Sequence, residues 1–197
     1  MAILIVAVGG SIRINDAGES CPDWPKCFGT YGFDISPEEQ GKYWEENPDQ
    51  IDSRGENHRY TVFEIFVEWF HRLLVGIVAI PIIMNLIISR RKQEIYGKSN
   101  YYASIFITLM LFIQAAAGAT TVFFDNVDWS VALHLSLACI FSGAIIWQYL
   151  LMRVKEGVNW NFLSVSKDFI QTNKKRFDSI ALSVLLLLIL GAWVSST

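Results

Sequence analysis

The chain has 197 residues, of which 52% are hydrophobic and only 18% charged, and its mean hydropathy is +0.33. Soluble domains carry nearer a quarter charged residues, so this composition excludes an ordinary soluble domain. The net charge of -3 says little alone, because in a membrane protein the informative quantity is how charge divides between the two sides.

In chain order, Met1 to Val8 is a short apolar run leading into Gly9-Gly10 and the polar Arg13. It lacks the basic n-region and small-residue cleavage site of a signal peptide, so residues 1–10 are expected to be the end of a first helix. Residues 11–62 form a long polar loop with Pro22, Pro25, Pro37 and Pro48. Within it, Ser36 precedes Pro37 with Glu39 three residues on, a capping-box pattern that can start a short helix through Glu46. The acidic run there is otherwise read as a solvated face, and His58 as a solvated loop histidine.

Three runs, 63–89, 102–124 and 131–152, each reach the roughly 20 apolar residues that cross a bilayer core. A link over 153–178 separates them from a final apolar run over 180–197, which is short of that length. The chain is therefore expected to open inside a first span and close inside a fifth. Backbone groups in lipid must be satisfied internally, and none of these runs alternates with period two, so all are expected to be helices. The predicted fold is all-α: one membrane domain, a polytopic transmembrane helical bundle with about four to five spans.

Loop charge gives an orientation. The segment Ser11 to Val62 holds 5 basic and 11 acidic residues, and Asp125 to Ser130 holds two aspartates and no base. The opposite links carry 4 basic against 1 acidic residue (Ser89 to Tyr101) and 6 against 3 (Arg153 to Asp178). The positive-inside rule puts the basic links in the cytoplasm and residues 11–62 outside. Trp129 and Trp160 fall where interfacial aromatics belong.

Ionisable residues inside a span are costly and mark functional sites. Glu68 and His71 are three residues apart, hence on one helix face, with Arg72 adjacent. His71 lies about 12 Å below the outer end of its span, and His134, on the fourth, about 7.5 Å below its own. Two imidazoles at similar depth on different helices can clamp one heme iron, whereas a lone histidine is more often an interhelical hydrogen-bonding group. Arg72 can pair with Glu68 or with a heme propionate. Gln114, Gly118 and Thr121 share a face of the third span, suited to a heme contact or equally to simple small-residue packing. Cys21 and Cys27 can form a disulfide in an oxidising compartment, either as a structural cross-link or as a redox pair; Cys139 reads as a packing residue.

The run Gly9-Gly10-Ser-Ile-Arg13, the block Cys21-Pro22-Asp23-Trp24-Pro25-Lys-Cys27, and Glu68-Trp-Phe-His71-Arg72 resemble the front half of the heme A synthase family. Gln114 to Val122 and His134 resemble that family's third and fourth helices. The resemblance implies an inner-membrane, multi-pass oxidoreductase that converts a methyl group of heme O to a formyl group, giving heme A for terminal oxidases. It implies heme b as cofactor with heme O as substrate, His71 and His134 as ligands of heme iron, and Glu68 as the catalytic residue. Arg72, Gln114 and Gly118 would be heme contacts. Heme O synthase, an electron donor, membrane lipid and a second copy of the chain are the partners it brings into view, with no nucleic acid. Two other readings stay open: a non-catalytic bis-His cytochrome, and a quinone-linked protein that generates disulfides with Cys21 and Cys27.

Overall fold

The computed structural model describes residues 1–157 and 166–196, and it contains no β-strand among them. The helix α1 covers Ala2–Ile14. A capping box starts α2, Pro37–Glu46: the Ser36 side chain accepts from the Glu39 amide while the Glu39 carboxylate accepts from the Ser36 amide at 2.8 Å. The same device starts α3, Val62–Arg91, with Thr61 and Glu64 as the reciprocal pair. After the single turn of α4, Gln93–Tyr96, Gly97 turns the chain at φ +84° into α5, Lys98–Phe123. A link of four residues, with Asp125 and Asn126 both at positive φ, leads to α6, Asp128–Lys155. Asx residues tolerate that left-handed backbone better than other non-glycine residues, which lets the chain reverse sharply here.

The final helix, α7, covers Lys167–Ser196 and packs against α6. It begins well ahead of Ile180, where the apolar run starts, because residues 167–178 contain no Gly or Pro and a helix continues through them at little cost. The expected 153–178 link is thus helical at both ends. Trp160 lies outside the described residues.

Helices α3, α5 and α6 are long and apolar enough to cross a membrane. They pack α3 on α5 and α5 on α6, with α1 against α3 and α6. Val78, Ile82, Ile107, Met110, Leu111, Phe141 and Ala144 form a shared core, while Ile80, Met84, Leu109, Phe112, Ile146 and Trp147 stay exposed on the outer faces. Apolar residues on both faces are what a lipid-immersed bundle requires.

The long loop folds into a cap with its own core of Cys21, Cys27, Phe28, Ile35, Trp44, Tyr60 and Ile65. Gln40, fully buried, donates to the Tyr60 carbonyl at 3.0 Å and accepts from the Tyr60 amide at 2.8 Å, tying α2 to the start of α3. The acidic helix α2 is therefore solvated on one face only, since Gln40 and Trp44 are buried on the other. His58 departs from expectation too: it is half-buried, 3.3 Å from Arg54, with its ring edge-on to Tyr60. Burial pushes the Tyr43 hydroxyl up to about 12.

Candidate functional site

In the bundle, α3 carries His71 and α6 carries His134, and α1 packs against both of these helices. Each ring rests against a glycine of a neighbouring helix. A Cβ on Gly118 of α5 would stand 3.1 Å from His134 Cε1, and a Cβ on Gly9 of α1 would stand 3.3 Å from His71 Nε2. The missing side chains are what allow the imidazoles to lie flush with adjacent backbones. One turn before Gly118, Gln114 donates from Nε2 to the His134 carbonyl at 2.9 Å. Gln114 Oε1 and His134 Nδ1 are both buried without a hydrogen-bond partner. Thr121 shares the face but bonds its own helix, donating to the Gly118 carbonyl at 2.7 Å.

Glu68 faces a different neighbourhood. Its Oε2 accepts from the Cys21 amide at 3.0 Å and lies 3.0 Å from the Ser20 hydroxyl, while its Oε1 pairs with Arg72. Besides Glu68, the Arg72 guanidinium donates to the carbonyls of Cys21 (2.8 Å), Asp23 and Lys26. Those carbonyls belong to the loop closed by the Cys21–Cys27 disulfide. A buried ion pair is tolerable when hydrogen bonds satisfy the remaining groups, and here the loop backbone and Ser20 do so. Cys139 is free and only half-buried.

The cluster therefore holds Glu68, His71, Arg72, Gln114, Gly118 and His134 in one region, with the disulfide loop over Glu68. Two contributors carry no obvious sign in the sequence. Ser20 is marked only by its place beside Cys21. Gly9 is visible as a glycine in an apolar helix, but which side chain it clears depends on how α1 is rotated.

The model of the cytochrome oxidase assembly protein family COX15-CtaA matches residues 1–197. The chain belongs to that family. Among its curated relatives, a heme A synthase of Shewanella oneidensis is 24% identical over 195 residues, covering 98% of this chain and 53% of the relative. A heme A synthase of Shouchella clausii is 27% identical over 149 residues, covering 74% of this chain and 40% of the relative. The chain thus spans about half the length of the curated relatives it matches. No solved structure matches it.

Proposed function

We propose that this chain forms one heme-holding half of a heme A synthase, with His71 and His134 as the residues that would hold the heme and residues 11–62 on the outer side of the cytoplasmic membrane. The observation that carries this reading is a pair of imidazoles on two helices of one bundle, each seated against a glycine of a neighbouring helix. Several features fit a heme. The donors are neutral nitrogen ligands of the type heme iron takes, and His134 has an unpartnered buried ring nitrogen. The glycines keep both rings free of side-chain crowding. A bound heme supplies the iron chemistry by which a ring methyl is taken to a formyl group in successive hydroxylations.

The chain's own residues would orient and enclose. His71 and His134 would hold the heme. Glu68 is a buried carboxylate whose charge is held by Arg72, Ser20 and the Cys21 amide, so it is a fixed acceptor beside the site and able to take part in proton handling. Heme O as substrate, heme b as a resident cofactor and an electron donor belong to the activity of the complete protein.

A second reading, a bis-His cytochrome for electron transfer, is favoured by the same Glu68 contacts, because both carboxylate oxygens are already engaged structurally. Burial of Cys21 and Cys27, at 0% and 1% exposure, weighs against the disulfide-generating reading. To test the proposal, the complete protein and its His71→Ala, His134→Ala and Glu68→Gln variants are expressed with a heme O source. Either histidine variant should lose the low-spin heme signal of this half, and Glu68→Gln should keep it while heme A production falls. A low-spin signal of this half that persists without either histidine refutes the ligand assignment, and full heme A production by Glu68→Gln leaves the cytochrome reading in its place.

A further inference from the structure

The buried carboxamide of Gln114 is half used. Its nitrogen donates to the His134 carbonyl at 2.9 Å, and a carbonyl oxygen can only accept, so the amide cannot be reversed. That leaves Oε1, an acceptor on the same small group, buried beside His134 with no donor. On His134 itself, Nδ1 is also buried without a partner. Two unsatisfied buried atoms at one contact are costly, about 1–3 kcal/mol each, and one is an acceptor that needs a hydrogen. Only one histidine tautomer can supply it: the form with the proton on Nδ1. That form leaves the Nε2 lone pair free. Gly118, one turn along the same face of α5, would place a Cβ 3.1 Å from Cε1, 3.6 Å from Nδ1 and 3.7 Å from Nε2, so this edge of the ring faces the helix that carries Gln114.

We propose that Gln114 is the positioning residue for His134: its Oε1 accepts the Nδ1 proton, through a small rotation of the carboxamide or one bridging water, and so fixes Nε2 as the ligating nitrogen. The proposal rests on the reading of His134 as a heme ligand. Histidines bound to metals commonly donate their second ring nitrogen to such an acceptor, which fixes ring orientation and raises ligand basicity. Gln114 touches His134, so it would act through that residue.

The test is a redox titration and low-temperature electron paramagnetic resonance of this half's low-spin heme in the complete protein. Gln114→Leu removes the acceptor and should shift the midpoint potential upward, because a less basic imidazole stabilises ferric iron less. Gln114→Glu offers a stronger acceptor and should shift it downward. Opposite signs are the signature, since a merely structural disturbance would move both variants the same way. If Gln114→Leu fails to accumulate, Gln114→Asn, which withdraws the acceptor by one methylene without adding charge, takes its place and should likewise shift the potential upward. Loss of the signal in His134→Ala with no shift, or shifts of one sign, in the Gln114 variants overturns the positioning role and leaves the ligand assignment standing. An unchanged signal in His134→Ala overturns both.

Discussion

The backbone amide of Cys21 donates to the carboxylate of Glu68 at 3.0 Å, so the disulfide loop and the middle of a membrane helix form one hydrogen-bonded unit. Arg72 completes it, donating to Glu68 and to three carbonyls of the loop. Opening the loop frees those carbonyls to move and leaves a buried ion pair short of partners. Replacing both Cys21 and Cys27 with Ser should lower stability by about 2 kcal/mol, the scale of a disulfide closing a short loop. Thermal unfolding in detergent measures it. An unchanged midpoint would show that the clamp holds without the cross-link.

Gly118 predicts a steric effect with a built-in control. Gly118→Ala places a methyl 3.1 Å from His134 Cε1, tighter than ordinary contact, and Gly118→Val more so. Heme retained per chain should fall from wild type to Ala to Val. Gly143 on α6 has nothing within 4 Å of its would-be Cβ, so Gly143→Ala should keep full heme and gain about 0.5–1 kcal/mol from helix propensity. Equal losses at both positions would mean that the seat is not the cause.

At the end of the bundle away from the cap, Gln148 is buried and joins three helices. Its Nε2 lies 3.2 Å from Asn100 Oδ1 and 3.3 Å from Asn85 Oδ1, and its Oε1 accepts from Asn85 at 2.8 Å. Asn100 in turn donates to Ser89 at 3.1 Å. Gln148→Leu strands these groups and should cost about 1–3 kcal/mol, whereas leaving the network intact elsewhere costs nothing. Unfolding of the variant in detergent reads the difference, and a loss well under that range would make the network ornamental.

Acid dependence centres on Glu19 in the cap. Burial raises its carboxyl above the ordinary 4.5; the Ser53 hydroxyl and Arg54 only partly offset this, and Asp52 and Asp125 add to it. The folded chain therefore holds this proton more tightly than the unfolded chain. Its contribution favours folding fully below pH 4.5 and declines as pH rises from 4.5 through the raised folded value, then stays flat. Glu19→Gln cannot titrate. The unfolding midpoint of the variant minus that of wild type should rise across that window and level off, measured over a pH series; a constant difference would show that Glu19 is not strained.

What the sequence makes legible is local or periodic. The capping residues Ser36 and Thr61, the shared face of Gln114 and Gly118, the depth of the two histidines and the apolar lengths all follow from spacing along one element. What it hides are relations across elements. Nothing in the spacing says that Cys21 and Ser20 reach Glu68, because that depends on how the loop folds back over α3. Nor does it say that Gly9 meets His71, which is fixed by the rotation of α1. Pairing of Glu68 with Arg72 is legible from their i, i+4 spacing, but its engagement with Ser20 and the Cys21 amide appears only once the loop has a path.

The four-residue turn between α5 and α6 bears on how the site comes into being. Helices joined so tightly must lie side by side, and this hairpin already contains His134 together with Gln114 and Gly118. The surroundings of His134 are therefore built from neighbours in sequence, whereas His71 is brought in by α3, which packs against the α5 side of that hairpin.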